Sequence, residues 1–151
     1  MSFSPKSEFL NIINDRGFIH DSTDLGELDK LFQKKRVVGY IGYDATAKSL
    51  HVGHLVPLMM LRWLQKCGHC PITLMGGGTT KVGDPSFRSE ERPILSDKEI
   101  KDNMASLKSV FRNYLSYENS ENAALMINNA NWLEKINYLD SIKSPIITEK
   151  A

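Results

Sequence analysis

Two cysteines in 151 residues, 19 Lys and Arg against 18 Asp and Glu, and no long apolar run are what this sequence has little of. Two cysteines alone cannot complete a tetrahedral zinc site. A formal net charge of +1 lacks the Lys/Arg excess by which a domain grips phosphate backbones non-specifically, so this segment is not the main dock for a nucleic acid. The longest apolar run, Leu55 to Leu61, is about seven residues, where a membrane span needs roughly twenty. No membrane helix is expected. The polar start, with Glu8 close behind Met1, lacks the basic, apolar and small-residue regions of a secretory signal, and a cytoplasmic chain is expected. Repeats and low-complexity tracts are absent. What is present, 41% hydrophobic and 25% charged residues, is the make-up of one ordinary globular domain with a sizeable core.

Periodicity sets the expected order of elements. Phe9, Leu10, Ile12 and Ile13 share a helix face ending near Gly17. A second surface helix over Asp24 to Lys35 places Leu25, Leu28, Leu31 and Phe32 inward and Asp29, Lys30, Lys34 and Lys35 outward. Val37 to Tyr43 reads as a buried, central strand. Val52 to Lys66 is helical with Gly68 as its cap, Pro71 forbids continuation, and Ile72 to Met75 forms the next strand. Strand, helix and strand within about forty residues imply a parallel right-handed crossover, and hence an α/β fold with a doubly wound parallel sheet. A polar loop from Thr79 to Pro93 follows, then a helix capped by Ser96 with Glu99 as its capping-box partner. A third strand over Ala124 to Ile127 and a short helix over Trp132 to Ile142 complete the pattern. The expected divisions are an N-terminal helical cover (1–36), an α/β unit (37–140) and a tail (141–151).

The junction from Gly42 through Asp44, Thr46 and His51 to His54 joins a strand end to a helix start. Helix N-termini carry unpaired N–H groups and the positive end of the dipole, so phosphates bind there. His51 and His54, three apart, share one face, and Gly53 between them admits a ligand close to the backbone. Isolated His-x-x-His pairs are more often incidental residues of a surface turn. As a metal site the pair lacks a third ligand nearby.

His51-Val52-Gly53-His54, preceded by Gly42-Tyr43-Asp44-Ala45-Thr46 and Ser49-Leu50, resembles the signature of class I aminoacyl-tRNA synthetases. Three further blocks follow in the order of the bacterial-type tyrosyl-tRNA synthetases: Gly76-Gly77 with Val82-Gly83-Asp84-Pro85-Ser86, then Arg88 to Arg92, then Asn128-Asn129 with Trp132. The similarity covers roughly residues 5 to 140. Ala45 stands where proline is frequent, Ile41 where a small residue or cysteine is common, and Asn131 where Asp is usual. None of these removes a group that the chemistry needs.

The resemblance implies a Rossmann-like ATP- and tyrosine-binding half-domain and adenylation: the carboxylate of tyrosine attacks the α-phosphorus of ATP, pyrophosphate leaves, and the tyrosyl group passes to tRNA. Positioning and charge stabilisation then supply the catalysis, with no side-chain nucleophile. Thr46, His51 and His54 become the catalytic donors. Gly42, Asp44, Gly53, Arg88 and Arg92 become ATP-binding, the two arginines closing over pyrophosphate. Tyr40, Asp84 and Asn129 become tyrosine-binding, Tyr40 meeting the substrate phenol and Asp84 its ammonium. Mg²⁺ is expected with ATP, and no prosthetic group. A homodimer and tRNA binding belong to the full-length family. The family's mobile lysine-rich signature and the later helix of its tyrosine pocket do not occur among these residues, so activity of this piece alone is not expected.

Two other readings stand beside this one. A non-catalytic nucleotide-binding module would retain the fold and the histidines without turnover. Cys67-Gly68-His69-Cys70 has the letters of a dithiol active site, but it sits at a helix C-terminus, where the dipole disfavours thiolate, instead of at a helix N-terminus.

Overall fold

A computed structural model describes residues 4–82, 95–118 and 120–136. Among them α1 (Glu8–Asp15) and α2 (Leu25–Lys34) precede β1 (Val38–Tyr43), α3 (Val52–Lys66), β2 (Cys70–Met75), α4 (Gly77–Val82), α5 (Asp97–Arg112), β3 (Leu125–Asn128) and α6 (Ala130–Leu133). The strands form one parallel sheet in the order β1-β2-β3. Val38 pairs with Cys70 and Tyr43 with Met75, while Ile72 pairs with Leu125. The α/β class expected from the sequence is the class observed.

Local chemistry accounts for most element ends. Gly17 and Gly68, at φ 70 and 83, follow α1 and α3 in the left-handed conformation that glycine adopts without strain. The Asp24 side chain accepts the Glu27 N–H at the start of α2. Ser96 and Glu99 make the full capping box of α5, as anticipated. Pro57 lies inside α3, so the carbonyl one turn earlier, that of Gly53, has no N–H to receive from it.

The core lies on one face of the sheet. Tyr43, Thr73 and Met75 point into it, with Leu58, Leu61 and Leu64 of α3 and Leu107 and Phe111 of α5 packed over them. Phe9, Leu10 and Ile13 of α1 join the same cluster. At roughly 1.5–3 kcal/mol for each large apolar side chain removed from water, this cluster is the main source of stability.

Four expectations need correction. Val37 to Tyr43 is not central and is buried on one face only: among the described residues β1 is an edge strand, with Tyr43 in the core but Val38 and Tyr40 60% and 70% exposed. Alternation puts Val38 and Tyr40 with Ile72, Leu74 and Leu125 on the face opposite the core. Asp29 does not face outward but is buried, its carboxylate accepting the backbone N–H groups of Lys6 and Ser7 at 2.8–3.0 Å and so closing the start of α1. Part of the loop expected from Thr79 is helical, because α4 is held by tertiary bonds despite its poor helix formers. The last helix begins at Ala130 instead of Trp132. The rest of that loop, 83–94, and residues 137–151 lie outside the described residues.

Candidate active site

The carboxyl ends of the three parallel strands converge on one rim, the place where ligands bind in open α/β sheets. Gly76 at the end of β2 donates its N–H to the Tyr43 carbonyl at the end of β1 (2.8 Å), and the Asn129 N–H after β3 reaches the Met75 carbonyl (2.9 Å). Three loops are thus tied into one ledge.

His51 is the N-cap of α3, and His54 lies in its first turn, as the strand-turn-helix reading required. The His51 Nδ1 accepts the Gly53 N–H at 3.1 Å. An acceptor nitrogen carries no proton, so this bond leaves Nε2–H as the imidazole's donor. At Gly53 a side chain would also meet a local obstacle, since a Cβ there would come within 3.0 Å of the His51 ring. The glycine makes room for its own neighbour's imidazole.

The two rings stack, with centroids 3.8 Å apart at 37°. His54 is half-buried, and its Nδ1 is buried with no hydrogen-bond partner among the described residues. Burial lowers its pKa, repulsion from His51 adds to that, and Asp44 opposes both. At neutral pH His54 is therefore a neutral imidazole. N–H donors of the two rings and the helix dipole are groups of the kind that can meet oxyanions.

Thr46, Asp44 and Gly42 are exposed on the loop and strand end beside these rings. Between Asp44 and Thr46, Ala45 is fully buried. Its N–H donates to Thr80 Oγ1 (3.1 Å), and its carbonyl accepts from Asn103 Nδ2 (2.8 Å). Neither partner was foreseen. A visible signal existed for one of them, since Asn103 interrupts the apolar stripe Ile100, Leu107 and Phe111 on the buried side of α5.

Asn129 is buried and engaged within the protein: Oδ1 accepts the Gly78 N–H (2.7 Å) and Nδ2 donates to Thr79 (3.1 Å). It fastens α4 to the end of β3. Tyr40 stands on the open sheet face, away from the core. Asp84, Arg88 and Arg92 lie outside the described residues. A shallow cavity of about 470 Å³ lined by Arg62, Arg112, Tyr114 and Tyr117 shares no residue with this ledge. Its lining is largely the segment Asn113 to Glu118 that follows α5, with Arg62 of α3 and Arg112 at the end of α5.

No group of three or more His, Cys, Asp or Glu able to hold a metal occurs among the described residues. Cys67 caps the C-terminus of α3 and Cys70 begins β2, both as free thiols. Burial, with Glu8 adding to it, raises the Cys67 pKa, the opposite of what a reactive dithiol needs.

A parallel α/β sheet whose first crossover helix opens on a stacked histidine pair has the Rossmann-like architecture of the class I synthetases. Residues 32–145 match the family described as tRNA synthetases class I (W and Y), and the chain belongs to that family. It is similar to the Tyrosine–tRNA ligase of Cereibacter sphaeroides, 59% identical over 143 residues, covering 95% of this chain and 34% of that protein. It is also similar to the Tyrosine–tRNA ligase of Ruegeria pomeroyi, 58% identical over 144 residues, covering 95% and 35%. A solved, C-terminally truncated mitochondrial tyrosyl-tRNA synthetase from Aspergillus nidulans superposes with a TM-score of 0.78 at 35% identity, covering 91% of this chain and 41% of that one. The chain spans about a third of the length of the curated relatives it matches.

Proposed function

We propose that this chain carries the nucleotide-handling part of a tyrosine–tRNA ligase. An oxygen of tyrosine's carboxylate bonds to the α-phosphorus of ATP, the bond to pyrophosphate breaks with its electron pair leaving on the pyrophosphate oxygen, and tyrosyl-adenylate forms for transfer to tRNA. The observation that carries this reading is the stacked His51–His54 pair at the start of α3. Their N–H donors and the Thr46 hydroxyl stabilise charge on the phosphate oxygens. Arg88 and Arg92 neutralise the leaving pyrophosphate, Gly42 and Asp44 border the nucleotide, and Tyr40, Asp84 and Asn129 contact tyrosine. Asn129 does so through whatever hydrogen-bonding capacity its two protein contacts leave. With a net charge of +1, these 151 residues make few of the tRNA contacts.

One observation favours a second reading, that these 151 residues by themselves bind nucleotide without turnover: Tyr40 is 70% exposed on an open sheet face. A half-open pocket neither desolvates nor orients the amino acid. Both readings are tested by tyrosine-dependent ATP–pyrophosphate exchange and by ATP titration followed through backbone amide shifts. The 151-residue chain should show no exchange, and ATP should shift the amides around Gly53 and His54, weakly, with the response reduced by His54→Ala. Strong exchange by this chain would refute the binding-only reading. An absent ATP response at those amides would remove the nucleotide site altogether.

A further inference from the structure

We infer that Asn103 and Thr80 are positioning residues for the β1–α3 nucleotide loop, an inference that rests on the reading of that loop as the ATP site. Ala45 is the fulcrum. It is fully buried between two exposed residues, Asp44 and Thr46, and the hydrogen-bonding groups on both sides of it are taken by different helices. Thr80 of α4 accepts its N–H, and Asn103 of α5 donates to its carbonyl.

Asn103 occupies a core position, where a carboxamide without a partner costs free energy that a leucine would not. Its bond to Ala45 bridges 58 positions of sequence, so it does nothing for the geometry of its own helix. What it fixes is the path of the loop. With Ala45 held at both ends, Asp44 and Thr46 project from a pinned backbone beside His54, whose pKa already registers Asp44. Catalytic and binding groups need such support, because a loop left about 1 Å loose loses most of its effect.

The clamp also gives Ala45 a use for its N–H. Proline, frequent at this position in the family that the sequence resembles, has none to offer.

The test uses the whole 151-residue chain, Asn103→Leu, Thr80→Val and, as the conservative rescue, Thr80→Ser. Amide hydrogen exchange at Ala45 reads the clamp, and ATP titration of the amides at 44–46 and 53–54 reads the consequence. In Asn103→Leu and Thr80→Val, exchange at Ala45 should quicken about tenfold or more and ATP affinity fall about tenfold, while Thr80→Ser stays within about twofold of the parent. If Asn103→Leu does not fold, Thr80→Val carries the test alone. ATP affinity within about twofold of the parent in a folded Thr80→Val or Asn103→Leu would overturn the inference and leave the nucleotide site standing. No ATP response in the parent would overturn both, while exchange at Ala45 would still report whether the clamp itself exists.

Discussion

On one face of the sheet Tyr43, Thr73 and Met75 lie under α3 and α5 and are almost inaccessible, whereas on the other Val38, Tyr40 and Leu125 stand well exposed. The residue types hardly differ. Each face carries aliphatic side chains and one tyrosine of β1, and residues of β1 alternate strictly between the two. What separates them is which helices lie above, a non-local fact. Val37 to Tyr43 has the apolar composition of a strand covered on both sides, and the described residues cover one. Stability is therefore concentrated on the α3–α5 side. The groups that would meet substrates sit on the rim and the open face, where they can be reached.

The largest effect that would sharpen this contrast comes from the covered side. Phe111 and Leu58 are fully buried, so truncation removes transfer free energy and leaves a cavity. Phe111→Ala should cost about 3–5 kcal/mol and Leu58→Ala about 2–5, read as a fall in the denaturant midpoint with little change in slope. Costs below about 1 kcal/mol would mean that the helices do not pack on the sheet as described.

A smaller effect belongs to the sheet's other end, where α1 and α2 close over His69. That imidazole is buried against Phe9 and Phe32, with ring centroids 6.3 and 4.8 Å away, and its Nδ1 accepts the Val37 N–H at 3.2 Å. Burial lowers its pKa, with Glu8 opposing. The folded state thus favours the neutral ring, while the unfolded ring titrates near its ordinary value of about 6.5. Protons bind the unfolded state more readily in that window, so stability is full above about pH 6.5 and declines as pH falls below it. His54 contributes with the same sign. The melting temperature should accordingly drop between about pH 6.5 and 5, and His69→Gln should flatten part of that drop. An unchanged pH profile in His69→Gln would show that the ring is not held neutral by the fold.

How much of this could be read beforehand depended on distance along the chain. The His51–His54 helix start, the Ser96–Glu99 capping box and the glycine caps are local devices, with partners a few residues away, and the sequence showed them. Asp29 looked like a surface residue because its partners lie 22 and 23 positions away. α4 was hidden for a similar reason. Gly77, Gly78, Thr79 and Thr80 are poor helix formers, and the bond from the Gly78 N–H to Asn129 that anchors the turn spans 51 positions. The same holds for the Ala45 clamp. The strand-turn-helix junction at the rim was legible through motif and spacing, but the frame that holds it was not.

The smallest expected effect is the one that most directly challenges the contrast. Val38→Thr keeps the β-branch, and so the strand's χ1 restriction, and replaces one methyl by a hydroxyl on a side chain 60% exposed. Tyr40→Phe deletes a hydroxyl that stands in solvent on the same face. If that face is open in the 151-residue chain, each variant should change unfolding free energy by no more than about 0.5 kcal/mol, as surface substitutions do. Measured at two protein concentrations, the result also tests for a cover supplied by a second copy, because exposed apolar surface of this kind invites association. A cost above about 1 kcal/mol for Val38→Thr that grows with concentration would mean that the face is buried between copies in solution. The two sides of the sheet would then differ in what covers them, not in whether they are covered.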